Sequence, residues 1–258
     1  MPDLDIRELV EVDDLRSALE LFERIWGTER MFAVEVLRAL ATHGSAVLGA
    51  FGPDGMVGAQ VAFLGREGDV LLLHSHVTGV EPSLQHRGIG AALKWAQRDW
   101  ALARGIELVT WTFDPMVSRN AYFNLRKLGA SAGRFLRDFY GRMGDDINLD
   151  ERSDRLEITW RLHDPRVERA AAGIPVERDV AGALPLLDAD EGRPRRRPAE
   201  GEVLLVRVPS DYLGMRERDP DLARAWRDAA AESLEEAFAS GYVAVDFLRE
   251  GAYVLERP

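Results

Sequence analysis

The chain contains no cysteine among its 258 residues. Disulfide bonds, thiolate-ligated metal sites and a covalent cysteine–acyl intermediate are therefore excluded. Positive charge is also scarce: 33 Lys and Arg residues stand against 44 Asp and Glu, which gives a formal net charge of -11 at pH 7. A field of that sign disfavours general binding to nucleic acids or anionic membranes, although a local basic patch can still hold a phosphate.

Long apolar runs are missing as well. No uninterrupted apolar stretch approaches the ~18 residues that a membrane-spanning helix needs. The acidic start "MPDLDIRELVEVDD" lacks the apolar centre of a secretory signal. We therefore expect a cytoplasmic protein with no nucleic-acid or membrane partner. The length and the 46% hydrophobic content predict one large or two modest globular domains.

The periodicity of apolar residues predicts an α/β (α+β) fold. An opening strand in "DIRELVEV" precedes two helices and two strands around a turn at residues 53–55. The next predicted elements are the strand "DVLLLHSHVTGV", a helix from Ile89 to about Ala103, the strand "IELVTWTFDP", the helix "SRNAYFNLRKLG", and strands in "GRFLRDFYG" and "DRLEITWRL".

The composition changes after residue 164. Residues 165–201 are rich in Pro, Gly, Ala and Arg and predict a flexible connector. Residues 202–258 predict one long helix with a few strands, which we interpret as a small C-terminal α/β extension and a candidate surface for a homodimer. Residues 1–164 then form the first domain.

A glycine pair lies just before the helix that begins at Ile89. A P-loop would need G-x-x-x-x-G-K-[ST], and a Rossmann fingerprint would need a third glycine, so neither pattern is present. The acyl-CoA-binding pattern Q/R-x-x-G-x-G/A is complete. Its residues are Gln85, His86, Arg87, Gly88, Ile89 and Gly90. An ordinary helix start with a flexible lead-in is the alternative interpretation.

The chemistry of a helix start suits a pyrophosphate. The first-turn amides, through Ala91, have no intrahelical partner and carry partial positive charge. Glycines at 88 and 90 remove the Cβ atoms that would obstruct an anion there. Arg87 adds a positive charge, so an anion can bind despite the acidic surface elsewhere.

The motifs "QHRGIG" and "RNAYFNLRKLG", in this order of elements, resemble the GNAT superfamily of acyl-CoA-dependent N-acyltransferases over about residues 1–162. The words "HSHVTGV", "TWTFDP" and "SDRLEITWRL" resemble a bacterial GNAT-related subfamily with a C-terminal extension. The resemblance implies a GNAT-like central mixed sheet flanked by helices, and acetyl-CoA or another acyl-CoA as donor substrate. It also implies transfer of an acetyl or succinyl group to the amine of a small molecule, for which the subfamily suggests an amino acid.

The same resemblance implies where CoA binds. The strand before the glycine loop splays from its neighbour, and the pantetheine arm bonds to backbone groups in the resulting slot. Here those residues would be Thr78, Gly79 and Val80. Asn120 and Phe123, on the later helix, would face the arm. An open parallel sheet has backbone groups that need partners, and an amide-bearing arm supplies them.

Candidate groups for proton transfer lie on the same strand. His74 and His76 share a face because side chains repeat every two residues, and histidine accepts protons near neutral pH. Both are alternatively packed or hydrogen-bonded core histidines. No third ligand accompanies them, so we expect no metal. A backbone N–H near Val77 is the candidate donor to a tetrahedral oxyanion.

The proton donor to the thiolate is harder to assign. In the family it is a Tyr four residues before the helix-ending glycine, but position 125 is Leu. Tyr122 and Tyr140 are candidates, with aromatic packing as the alternative, and water can also protonate a thiolate of pKa about 8.5. Asp114 either binds the substrate ammonium or caps the next helix. Arg155 either pairs with a substrate carboxylate or forms a surface salt bridge.

These observations predict an acyl-CoA-dependent N-acyltransferase of the EC 2.3.1 class. Without cysteine, the acyl group would pass directly from CoA to the amine. The alternative is a non-catalytic acyl-CoA sensor, or a degenerate GNAT-like protein, which the leucine at position 125 favours.

Overall fold

The computed structural model describes residues 4–27, 32–141, 151–198 and 200–257. The chain divides into two compact units. The first comprises Met1–Trp111 and Arg142–Glu151, and the second comprises Thr112–Gly141 and Arg152–Pro258. Among the described residues, every helix is too short or too polar to cross a membrane.

The first unit is a mixed sheet with three helices. Its strands are β1 (Asp5–Glu8), β2 (Ala46–Gly52), β3 (Gly55–Glu67), β4 (Val70–Val80) and most of β5 (Leu108–Phe113). Its helices are α1 (Val12–Trp26), α2 (Val34–Thr42) and α3 (Ile89–Leu102), with a 3-10 turn at Pro82–Leu84. The strands lie in sequence order; β1 to β4 pair antiparallel and β4 pairs parallel with β5.

Helices cover both faces of this sheet. Helix α1 is amphipathic, and its buried side chains join Val61 and Val77 in one apolar cluster. A Cβ at Gly79 would lie 2.8 Å from Ile25 of α1, so glycine permits this close approach. On the other face, a Cβ at Gly58 would lie 3.0 Å from α3. The strands before the glycine loop are thus held tightly between α1 and α3.

The second unit contains further strands of mixed orientation. Its strands are β6 (Ser131–Leu136), β7 (Arg155–Arg161), β8 (Leu184–Asp190), β9 (Arg193–Arg196), β10 (Val203–Arg207), β11 (Val243–Leu248) and β12 (Ala252–Glu256). The order is β7-β6-β11-β12-β10-β8-β9, with β8 and β10 parallel. Its helices are α4 (Ser118–Ala121), α5 (Pro165–Ala171), α6 (Tyr212–Arg218) and α7 (Pro220–Ala239).

The stretch 165–201, predicted to be a flexible connector, contains α5, β8 and β9. The Pro- and Arg-rich composition is typical of a loop, but β9 pairs antiparallel with β8, so part of this stretch is regular sheet. Arg196 of β9 also forms ion pairs with Glu232 and Glu236 of α7. Backbone pairing and complementary charge therefore order an arginine-rich segment. The division into two units falls elsewhere in the sequence, and the boundaries at 164 and 201 remain a prediction.

The helix predicted in "SRNAYFNLRKLG" changes type along its length. After α4 it continues as a π-helical segment, Tyr122–Lys127. Leu128 N–H donates to the Phe123 carbonyl, five residues earlier, at 3.0 Å. Apolar periodicity does not distinguish the two helix types, since one wide turn changes the pattern very little. Single π-helical turns occur frequently at functional sites.

Candidate functional site

Strand β4 carries the candidate site and contains a β-bulge. Its register with β3 shifts so that His76 and Val77 together lie opposite Val61. A bulge leaves the backbone of its extra residue outside the ladder. The bulge therefore displaces main-chain N–H groups from regular pairing near Val77. This is the position where the sequence predicted an oxyanion donor.

The sheet opens beside the bulge. In the described ladder β4 and β5 pair at Leu73 with Val109 and at His74 with Thr110. Strand β4 continues for six more residues, to Val80, beyond that last pair. The edge of β4 over Thr78, Gly79 and Val80 therefore lies in the opening, where unpaired backbone groups need partners.

The glycine loop leads directly from β4 into α3. Residues 85–88 are exposed, and His86 and Gly88 have positive φ values of 66° and 85°. The first bond within α3 runs from Ala92 N–H to the Gly88 carbonyl at 3.0 Å, so the amides before it have no helical partner. A Cβ at Gly88 would meet no described atom within 4 Å, and one at Gly90 would lie 3.8 Å from Val80. The start of α3 is open to an anion.

The two histidines of β4 share one face with two phenylalanines. The rings of His74 and His76 lie 6.3 Å apart, and the Phe63 ring lies 5.1 Å from the first and 5.8 Å from the second. Phe32 contacts His76 edge-on at 5.5 Å. The prediction that the histidines face the same way is confirmed.

Their surroundings favour the neutral imidazole. Burial, together with the charges of His76 and Lys94, lowers the pKa of His74 to about 4. Desolvation by neighbouring atoms also lowers the pKa of His76, although this side chain is the more exposed of the two. His74 Nδ1 lies 3.2 Å from the Thr110 hydroxyl. Neutral rings at pH 7 can accept a proton from an amine or orient it.

The opposite face of β4 carries a buried polar cluster that the sequence analysis missed. Lys94 of α3 is 5% exposed, and its Nζ lies 2.7 Å from Ser75 Oγ and 3.3 Å from Gln97 Oε1. Gln60 of β3 bonds to Ser75 at 3.2 Å and to Thr78 at 2.9 Å. The signal in the sequence was the pair Lys94 and Gln97, one turn apart on the buried side of an otherwise apolar helix face.

The other predicted site residues lie in the second unit. Asp114 forms an ion pair with Arg227 of α7, with Oδ2 at 2.9 Å from Nη2, and accepts a hydrogen bond from Met116 N–H at 2.9 Å. Arg227 also donates to the Tyr212 hydroxyl at 3.0 Å. Asp114 binds the turn before α4 and not α4 itself, whose N-cap residue, Val117, has no side-chain cap hydrogen bond. The role of Asp114 toward an ammonium group remains a prediction.

The helix after Asp114 carries the predicted arm-facing residues. Asn120 lies in α4, and Phe123 lies in the π-helical segment; both side chains are half-buried. The Tyr122 hydroxyl accepts a hydrogen bond from Arg249 Nε at 3.3 Å. Leu125 is fully buried, so the position that carries an acid in the resemblance is packed into apolar core.

Two further candidates lie near one another on the second unit. Arg155 places its guanidinium 5.4 Å from the centre of the Tyr140 ring. The Tyr140 hydroxyl lies 3.2 Å from that of Thr112. A stacked arginine keeps its charge and its hydrogen-bonding edge, so Arg155 remains a candidate for a substrate carboxylate.

Neither a scan of protein-family models nor a search of curated proteins matched this chain. Solved structures do resemble it. Naa20 from Chaetomium thermophilum, in complex with a bisubstrate analogue, matches with a TM-score of 0.51 and 16% identity over 68% of this chain and 93% of that one. A chain of the NatC complex, bound to Gag peptide and CoA, matches with a TM-score of 0.50 and 14% identity over 63% and 99%.

The chain has the GNAT fold. A GNAT-family acetyltransferase from Elizabethkingia anophelis with acetyl-CoA bound is also similar, with a TM-score of 0.49 and 15% identity over 63% of this chain and all of that one. The expected GNAT-like mixed sheet flanked by helices is confirmed. At these identities the likeness concerns the fold, and the chemistry depends on the residues described above.

Proposed function

We propose that this protein is an acyl-CoA-dependent N-acyltransferase of the EC 2.3.1 class. It would move an acetyl or succinyl group from CoA to the amine of a small molecule such as an amino acid. The observation that carries the proposal is the opening between β4 and β5, at the end of the strand that leads into an unobstructed, glycine-lined helix start. The fold shared with a NatC chain, whose structure holds CoA, supports the same donor.

Main-chain groups bind the donor in this proposal. The amides around Gly88, Gly90 and Ala91 hold the pyrophosphate, with Arg87 adding charge. The backbone of Thr78, Gly79 and Val80 pairs with the amides of the pantetheine arm, as an added strand does. This arrangement needs few positively charged side chains, which suits a chain with a strongly negative net charge.

The reaction is a direct transfer. The amine nitrogen attacks the thioester carbonyl carbon, and the bulge N–H near Val77 stabilises the oxyanion that forms. The carbon–sulfur bond then breaks, and the amide product and the CoA thiolate separate. A neutral His74 or His76 takes the proton that the amine loses, directly or through water. The absence of cysteine is consistent with transfer without an acyl-enzyme.

The thiolate has two sources of a proton. Leu125 is buried in the core and offers none. Tyr122 carries a hydroxyl one helical turn earlier, and bulk water protonates a thiolate of pKa about 8.5 at useful rates near neutral pH. We assign Tyr122 as the candidate acid. A Tyr122→Phe variant that loses kcat while keeping its KM for acyl-CoA would support it, whereas unchanged kcat would indicate water.

The test is acyl-CoA consumption with a panel of amino acids and other small amines, following release of free CoA. Turnover with any acceptor supports the proposal. Leu125 is the observation that favours a second candidate, a non-catalytic acyl-CoA sensor. Tight CoA binding without turnover across the panel would establish the sensor, and failure to bind CoA would overturn both.

A further inference from the structure

Lysine is rare in this chain, and one of its two lysines is buried. Lys94 and Lys127 are the two lysines among 33 Lys and Arg residues. Lys127 is exposed, whereas Lys94 is 5% exposed on the side of α3 that packs against β4. A lysine is almost never fully buried without a specific partner, so this position needs a chemical explanation.

The groups around Lys94 are polar but uncharged. Its Nζ lies 2.7 Å from Ser75 Oγ, 3.3 Å from Gln97 Oε1 and 3.8 Å from the centre of the Trp111 ring. Helix α3, strand β3 and strand β5 face it with Gln97, Gln60 and Trp111, which do not ionise. Strand β4 contributes Ser75 and the titratable His74, whose pKa the charge of Lys94 lowers.

With the Gln60 and Gln97 amides oriented as they are here, a count of donors and acceptors favours the uncharged amine. A serine hydroxyl has one proton to donate and two lone pairs. Gln60 Nε2 and Gln97 Nε2 both donate to Ser75 Oγ at 3.2 Å, which fills both lone pairs. The hydroxyl proton must then point to the remaining neighbour, Lys94 Nζ. Only an uncharged amine has a lone pair to accept it.

The neutral amine gives Ser75 Oγ and Lys94 Nζ a consistent set of partners, whereas Gln60 Oε1 is buried without a hydrogen-bond partner among the described residues. The two protons of the amine point to Gln97 Oε1 and to the face of Trp111, and its lone pair accepts the Ser75 proton. Burial lowers the pKa of Lys94 to about 7, which agrees with this arrangement. An ammonium at the same place would present a third donor to a hydroxyl that can accept only two.

We propose that Lys94 is a positioning residue for acyl transfer: as a neutral amine it holds Ser75, and through Ser75 it fixes the β4 bulge at His76. Ser75 is the residue directly before the bulge, and Gln60 links it to Thr78 directly after the bulge. The cluster therefore clamps both ends of the segment that presents the oxyanion donor and the two histidines. This role rests on the proposed acyltransferase function.

The first test measures the protonation state in the intact protein. A Lys127→Arg variant leaves Lys94 as the sole lysine, so selective labelling with 13C and 15N lysine gives one side-chain signal. We expect that signal to titrate about three units below the ordinary lysine value of about 10.4. Titration at the ordinary value would overturn the inference. The measurement needs no substrate.

The second test separates positioning from packing. We compare kcat/KM for the wild-type protein, Lys94→Met and Lys94→Arg across pH with one acceptor. Because the acceptor amine titrates equally in all three, its effect cancels in the ratios. The ratio of wild type to Lys94→Met should rise about tenfold as Lys94 loses its proton, with little change in KM for acyl-CoA. Lys94→Arg, always charged, should remain slow throughout.

A merely structural lysine would give a different result. Both variants would melt at lower temperature, yet their kcat/KM ratios to wild type would not change with pH, and that outcome overturns the inference. The two proposals also fail separately. Absence of wild-type turnover, with the lysine signal still titrating low, would refute acyl transfer and hence the positioning role. Normal turnover with an ordinary lysine titration would refute this inference alone.

Discussion

Replacing Lys94 with methionine should remove a pH dependence of stability that the wild-type chain has in the alkaline range. Burial lowers the pKa of Lys94 to about 7, from an ordinary value of 10.5. Between those values the unfolded chain binds a proton at this side chain and the folded chain does not. Stability therefore rises with pH through this window. Below the pKa of the folded state, Lys94 is charged in both the folded and the unfolded chain, so its contribution to stability does not change with pH.

The expected change in unfolding free energy follows from the difference between the pKa values of Lys94 in the folded and the unfolded chain. Each pH unit between the two pKa values adds about 1.4 kcal/mol to the free energy of unfolding. From about pH 7 to about pH 9.5 the gain is about 3 kcal/mol. The upper limit avoids Tyr253, whose pKa burial raises well above 10.0 and which lowers stability at still higher pH.

The assay is urea unfolding of the wild type and Lys94→Met at both ends of that range. Other groups titrate alike in the two proteins, so the difference between their unfolding free energies isolates Lys94. We expect that difference to grow by about 3 kcal/mol with pH. A difference that stays constant within about 1 kcal/mol would show that Lys94 is charged in the folded state and would refute the donor and acceptor argument.

Two further predictions concern the ion pair between Asp114 and Arg227 and the burial of His74. Arg227→Met leaves the Asp114 carboxylate without its ion-pair partner and should cost about 3 kcal/mol of unfolding free energy, whereas adding Asp114→Asn should recover part of the loss. Full additivity of the two substitutions in urea unfolding would contradict this. His74 has a lowered pKa of about 4, so its contribution to stability is lost as pH falls from 6.5 to about 4. A His74→Asn variant should lose stability less steeply over that range, and an NMR titration of the His74 ring near 6.5 would contradict the assignment.

The local features of the fold were readable from the sequence. A largely apolar run identified β4, and the glycine pair identified the start of α3, because both patterns depend on neighbours close in the chain. The shared face of His74 and His76 followed from the period of two in a strand. These features depend on short-range sterics and hydrogen bonding, which single-sequence reasoning captures.

The missed features depend on contacts between distant segments. The bulge at His76 arises from pairing with β3, and the partners of Lys94 outside its own helix come from β4 and β5. Asp114 and Arg227 are 113 residues apart, and no local pattern links them. The regular structure in residues 165–201 likewise depends on pairing between β8 and β9 and on ion pairs with the glutamates of α7. The candidate site was therefore only partly predictable from the sequence.

The central claim is that the amides at the start of α3 hold the phosphates of CoA, and Gly90 offers the most direct test. A Cβ at position 90 would lie 3.8 Å from Val80, an ordinary van der Waals distance. An acidic residue in the first turn also stabilises a helix. Gly90→Asp should therefore fold as well as Gly90→Asn. By calorimetry we expect Gly90→Asp to bind CoA at least about 100-fold more weakly than Gly90→Asn, through repulsion at close range. Equal CoA affinity in the two variants would contradict the account.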